Sequence, residues 1–190
     1  MIPVQAVIKD LPPIKPPVSV IVPYDRGIGM NPIHVCKNDE VIFVLRGTSI
    51  GMKRIEGVKR ASYDWTVNID ADGTYPREFI PQVKEAIRLY GAEHPVMMGV
   101  RLGGLMPPST LLESGLIVRK DVFLIKTSTY REERGFWTDV ARWLSDDYMI
   151  VPAFYYHPPS KDEIRSLKAL LNLYSAVSFT KNMASVFSTI

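Results

Sequence analysis

The sequence holds one cysteine, Cys36, which excludes a disulfide framework and a cysteine-based zinc centre. Its three histidines, His34, His94 and His157, are scattered with no metal-ligand spacing. No apolar run approaches the roughly 20 residues that a bilayer-spanning helix needs. The N-terminus lacks the charged-then-apolar layout of a secretory leader, so a cytoplasmic location is expected, with peripheral membrane contact as an option. Strong charge of either sign is also missing. Lys and Arg number 23 against 20 Asp and Glu, and a net +3 is too mild to imply nucleic acid. There is no internal repeat, and nothing in the pattern sets an oligomeric state.

What is present is a chain of 190 residues, enough for one domain that buries roughly 70% of its unfolded surface. Residues 1–17 end in Leu11-Pro12-Pro13-Ile14-Lys15-Pro16-Pro17 and read as an extended, proline-rich arm. The remainder, 18–190, reads as a single domain. Short apolar runs at 18–22, 40–45, 65–70, 95–100, 115–119 and 148–154 carry the mark of buried strands. Residues 24–39 read as a loop with a short helix at most. Helical patterns fall at 50–61, 77–90, 136–144 and 162–177. The first of these is basic (Lys53, Arg54, Lys59, Arg60); it reads mainly as a solvated face, with a phosphate contact from one of these residues as the alternative. The last carries an apolar stripe of Ile164, Leu167, Leu170, Leu171, Tyr174 and Val177. Strands alternating with helices indicate an α/β fold, a single mostly parallel sheet with helices on both faces.

The densest chemical signal is Val67-Asn68-Ile69-Asp70-Ala71-Asp72-Gly73-Thr74-Tyr75-Pro76. An apolar strand ends in two carboxylates spaced i, i+2, which leave an extended strand on one face. Two carboxylates so placed repel each other unless a cation lies between them. The C-terminal end of a strand in an open α/β sheet is also where ligands bind. A divalent ion, Mn²⁺ or Mg²⁺, held by Asp70 and Asp72 against a phosphorylated substrate follows. A calcium loop is rejected, because its fifth and sixth positions would be Thr74 and Tyr75 instead of an acid and glycine. A merely acidic, solvated loop is the plain alternative.

Two enzyme classes use such a segment. Asp70-Ala71-Asp72-Gly73-Thr74 matches the D-x-D-G-T of haloacid-dehalogenase-type phosphatases, with Asp70 as nucleophile, Asp72 as general acid, and Thr127-Ser128 and Asp146-Asp147 as later motifs. That motif normally opens its fold, whereas two strands precede it here. The other resemblance covers most of the chain. Ser19-Val20-Ile21-Val22-Pro23-Tyr24 resembles the opening strand of family 2 glycosyltransferases of the GT-A fold. Glu40 to Ser49 resembles their second strand, and Ala61-Ser62-Tyr63-Asp64-Trp65 their approach to the D-x-D. The segment from Asp70 to Glu78 is similar to the version in polyprenyl-phosphate (dolichyl-phosphate) sugar synthases. Gly99-Val100-Arg101, Ser114 to Val122, Gly135-Phe136 and Pro158-Pro159-Ser160-Lys161 resemble further segments in the same order. The chain departs from the family at the end of strand two, where Leu45 and Arg46 replace acids. It also departs between strand two and the D-x-D, where a helix-strand unit is missing.

The resemblance implies a trimmed GT-A domain that moves a sugar from a UDP- or GDP-sugar, with Mn²⁺ or Mg²⁺, to an acceptor. That acceptor would be a glycan, a protein or a polyprenyl phosphate. It places Asp70 and Asp72 on the metal, with Asp70 also toward the ribose. It places Pro23, Tyr24 and Asp25 on the nucleotide side, and Arg101 on a donor or acceptor phosphate. Asp139 becomes the base that deprotonates a hydroxyl acceptor. A non-catalytic nucleotide-sugar-binding module is the remaining alternative.

Overall fold

The computed structural model describes residues 7–25, 29–47, 49–103, 114–128, 148–157 and 164. Strand β2 (Ser19–Pro23) is buried at every position. It is paired in parallel with β4 (Glu40–Val44) on one side and β5 (Trp65–Asn68) on the other. A strand covered on both faces has no solvated side, so its sequence is a continuous apolar run without alternation. β6 (Val96–Leu102), β7 (Leu116–Arg119) and β8 (Met149–Tyr156) complete a six-stranded sheet in the order β4-β2-β5-β7-β6-β8. Among the described strands only β7 runs against the rest; it is wedged between β5 and β6 and antiparallel to both. The buried Thr66 on β5 satisfies its hydroxyl by donating to the Val118 carbonyl of β7 at 3.0 Å.

Helix α1 (Ile50–Arg60) starts at Ser49, whose hydroxyl accepts from the Met52 amide at 3.2 Å. It packs with α3 (Lys120–Lys126) on one face of the sheet, against Ile21, Ile42, Val44 and Met98. Gly57 makes this approach possible: a Cβ there would lie 2.4 Å from Ile21 Cγ2. Helix α2 (Phe79–Tyr90) covers the other face with Phe79, Ile80, Val83, Ala86 and Ile87. Its Pro81 falls in the first turn, where a missing N–H costs little.

Three features differ from the sequence reading. Residues 24–39 hold no helix among those described; they hold β3 (Ile33–Cys36), which pairs in parallel with β1 (Val7–Leu11) as a separate two-stranded ribbon. A crossover between parallel neighbours is usually helical, but here the β2-to-β4 crossover runs through this ribbon. The proline-rich arm is thus partly a strand, tied to the core through Leu11, Ile33, Val35 and Cys36. Helix α3 is short, and only Phe123 in it is buried, so it left no period in the sequence. Only α1 lies between β4 and β5, and the sheet stops at β4 on that side.

The ribbon is latched by a buried ion pair. Lys84 of α2 and Asp39, both fully buried, lie 2.5 Å apart. Asp39 also accepts from the Val18 and Cys36 amides at 3.1 and 2.9 Å, and Lys84 donates to the Ile14 carbonyl at 2.8 Å. Among the described residues no helix is long and apolar enough to cross a membrane. The patterns at 136–144 and 162–177, apart from Ile164, lie outside the described residues, as do Asp139, Asp146, Asp147 and Pro158 to Lys161.

Candidate metal-binding cleft

β5 stops at Asn68, two residues before the first aspartate. Asp70 and Asp72 therefore stand on the turn that follows the strand, closed by the Gly73 amide donating to the Asp70 carbonyl at 3.2 Å. They come together through this turn and not through the pleat of an extended strand. The turn is pinned from three sides. Thr74 and Tyr156 exchange both backbone hydrogen bonds, at 2.7 and 2.9 Å, which ties the turn to the end of β8. The Asn31 side-chain amide donates to the Asp72 and Gly73 carbonyls at 3.0 and 3.2 Å. The Asp70 amide donates to the Tyr75 hydroxyl at 2.8 Å.

The β8 tie has a chemical consequence. The residue after Tyr156 is His157, whose Nε2 lies 3.5 Å from Asp70 Oδ2 and 3.3 Å from Asp72 Oδ1. One ligand atom from each of Asp70, Asp72 and His157 falls within 4.8 Å of the others. Two carboxylates and an imidazole are a mixed oxygen and nitrogen set suited to a borderline divalent ion. With Pro23, Asp25, Ile50 and Ala71 these residues line a cleft of about 220 Å³ at the C-terminal ends of β2 and β5. His157 was invisible to spacing arguments. The one signal available was its place directly after an apolar strand, the same place the Asp70 turn occupies after β5.

Two cations reach the cleft from beneath. Arg54 is fully buried, and its Nη2 lies 2.5 Å from Asp70 Oδ1. Lys53, nearly buried, pairs with Asp25 and donates to the Tyr24 carbonyl at 3.5 Å. The solvated-face reading of α1 therefore fails at Lys53 and Arg54, while Lys59 and Arg60 are exposed. The reason is topological: α1 lies over β2 and β4, so its first turns reach the same sheet end as the Asp70 turn. Each Asp70 oxygen thus has a role, one facing Arg54 and the other facing His157.

The remaining sequence candidates fall as follows. Pro23 and Asp25 line the cleft. Tyr24 does not; it is buried in the core and stands edge-on to Phe43 at 6.4 Å. Its amide extends the sheet by donating to the Val44 carbonyl, and that directs its ring inward. Arg101 is half-buried on β6, opposite Tyr155 in register, and is not among the cleft-lining residues. Thr127 and Ser128, proposed as a phosphatase motif, bond back to the Phe123 and Ile125 carbonyls at the end of α3, both at 2.7 Å. Leu45 and Arg46 are exposed beyond β4.

A larger hollow of about 560 Å³ lies at the opposite end of β5, lined by Asp64, Trp65, Arg119, Lys120, Asp121 and Leu124. Its two cations and Asp121 are already engaged. Arg119 pairs with Asp121 at 2.5 Å, and this hydrogen bond is the main cause that draws the Asp121 carboxyl down to about 2. Lys120 donates to the Ala61 carbonyl at 2.6 Å. The smaller cleft carries the convergent ligands and the strand C-termini, and it is the functional candidate.

The architecture, a mostly parallel sheet with helices on both faces, is a GT-A-like fold. Among solved structures the chain is similar to S. aureus TarS 1–349, at 15% identity and TM-score 0.51 over 74% of this chain and 60% of that one. It is similar to a second S. aureus TarS structure at 13% identity and TM-score 0.53, over 82% and 39%. TarS is a GT-A glycosyltransferase. At these identities the likeness shows the fold, and the chain spans less than two thirds of either TarS chain. No protein-family model and no curated protein matches the sequence.

Proposed function

We propose that this chain is the catalytic core of a metal-dependent glycosyltransferase that takes a UDP- or GDP-sugar as donor. The observation that carries the reading is the convergence of Asp70, Asp72 and His157 at the strand C-termini of a GT-A-like sheet. The ligand set favours Mn²⁺, with Mg²⁺ as the second choice, because an imidazole suits the harder Mg²⁺ less well. Held by Asp70, Asp72 and His157, such an ion would supply Lewis-acid neutralisation of the diphosphate leaving group. The chain's own residues do the rest. Arg54 holds one oxygen of Asp70 and so fixes the ligand before any ion arrives. Asp25, largely exposed at the cleft and backed by Lys53, accepts hydrogen bonds from the nucleotide. With Leu45 and Arg46 in place of acids at the end of β4, Asp25 carries more of the base recognition. Arg101 toward a phosphate, Asp139 as base toward a hydroxyl acceptor, and a polyprenyl phosphate, glycan or protein acceptor complete the proposal. So does peripheral contact with a membrane.

The test is a panel of UDP- and GDP-sugars with and without Mn²⁺, read as thermal stabilisation and as donor turnover. A bound donor raises the melting point by mass action. Stabilisation that needs both ion and donor, with turnover abolished in Asp72→Ala, is the expected result. Stabilisation without turnover assigns a binding module. Release of phosphate from small phosphomonoesters, with fluoroberyllate captured on Asp70, assigns the phosphatase chemistry instead.

A further inference from the structure

The Asp70 turn is folded around a tyrosine that the proposed chemistry does not use. Tyr75 is almost fully buried, and its hydroxyl meets two partners: the Asp70 amide at 2.8 Å and Ser114 Oγ at 2.7 Å. An amide can only donate, so the phenol oxygen accepts from Asp70, and the Tyr75 and Ser114 hydroxyls share the second hydrogen bond between them. Gly73 allows this, since a Cβ there would lie 2.6 Å from the Tyr75 hydroxyl. The ring has a second attachment. It stacks on Tyr155 with centroids 5.4 Å apart and planes 16° from parallel, and Tyr155 precedes His157 by two residues on β8. The Tyr155 hydroxyl donates to the Ser114 carbonyl at 2.6 Å. Gly115 makes room for that contact: its φ is +80°, and a Cβ would lie 2.5 Å from the Tyr155 ring.

One side chain thus touches both segments that carry the convergent ligands, through its hydroxyl at Asp70 and through its ring near His157. We infer that Tyr75 is a positioning residue, which sets the separation between the Asp70–Asp72 turn and His157 so that the three ligands meet before an ion binds. The inference rests on the metal site proposed above. It assigns Tyr75 no contact with substrate or ion.

Burial, and next the negative charge of Asp70, hold the Tyr75 hydroxyl well above the ordinary tyrosine range. A buried hydroxyl of this kind fixes geometry as other outer partners of metal ligands do, and loss of such a partner costs about 10–100-fold in affinity.

The experiment measures Mn²⁺ affinity from the free-ion paramagnetic resonance signal in wild type, Tyr75→Phe, Tyr155→Phe and Ser114→Ala, with melting points beside it. Tyr155→Phe loses a buried hydrogen bond of the same network without touching Asp70, so it reports a purely structural effect. The expected result is Mn²⁺ affinity about tenfold or more weaker in Tyr75→Phe, unchanged in Tyr155→Phe and intermediate in Ser114→Ala. Wild-type affinity in Tyr75→Phe overturns the inference and leaves the metal site standing. So does an equal loss in Tyr75→Phe and Tyr155→Phe. Should Tyr75→Phe fail to fold, Ser114→Ala decides, and wild-type affinity there overturns the inference. A wild-type protein that binds no Mn²⁺ overturns the inference together with the reading beneath it.

Discussion

Replacing Lys84 by methionine tests how the ribbon is held to the sheet. The pair it forms with Asp39 has no solvent on either side chain. Removing the cation strands a carboxylate that has given up its hydration, and breaking such a pair costs about 3–5 kcal/mol. Two local facts pull in opposite directions. Asp39 keeps its two amide donors, from Val18 and Cys36, which favours the lower end. The Ile14 carbonyl loses its ammonium donor, which adds only a little to the cost because the Asn38 side-chain amide still donates to it at 2.9 Å. A value of about 3–4 kcal/mol follows, and for a chain of this size each kcal/mol moves the melting point about 2–4 °C. The melting point of Lys84→Met should therefore fall by about 6–16 °C. Urea denaturation gives the free energy, and native-state hydrogen exchange gives the location, since amides of β1 and β3 should open first. The double variant Lys84→Met/Asp39→Asn removes both charges and should lose clearly less than the sum of the single variants. A loss under about 1 kcal/mol in Lys84→Met, or strict additivity in the double variant, would refute the latch.

Three further outcomes follow. Burial alone would raise the Glu40 carboxyl, but hydrogen bonds from Ser19 and Ser62 outweigh it and hold the group below its ordinary 4.5. A lowered folded-state value stabilises above 4.5 and is lost as pH falls through it, so Glu40→Gln should flatten the acid side of a stability-against-pH curve. Burial, then the charge of Asp70, raise the Tyr155 hydroxyl above its ordinary 10.0, so its contribution is present below that pH and lost as pH climbs past it. Tyr155→Phe should therefore show a shallower alkaline fall in urea midpoint than wild type. Gly57→Ala puts a methyl 2.4 Å from Ile21 Cγ2 and 3.0 Å from Val44 Cγ2, and should destabilise by about 1–3 kcal/mol in the same denaturation assay.

The parts of the fold that could be read from the sequence are those with enough residues to show a period or a run. β2 and β5 are buried along their lengths, β4 carries an apolar run, and α2 carries a 3.6-residue stripe that it buries on one face. In β3 the polar His34 interrupts the run, in α3 only Phe123 is buried, and β7 shows its run but not its direction, which depends on neighbours far along the chain. The site was half legible. Asp70 and Asp72 lie two residues apart, so their chemistry shows locally. Arg54 and Lys53 read as surface charge because their partners, Asp70 and Asp25, lie 16 and 28 residues away. His157 joins only because β8 is bridged to Thr74. Tyr75 and Ser114, 39 residues apart, meet for the same kind of reason.

Calorimetric titration of Mn²⁺ into wild type, Asp72→Ala and His157→Ala tests the central claim most directly. The account predicts saturable binding at one site in wild type. It predicts a loss in each variant greater than the roughly 10–100-fold cost of losing a mere outer partner, because each removes a ligand. Equal Mn²⁺ affinity in all three proteins, or no binding in any, would contradict it.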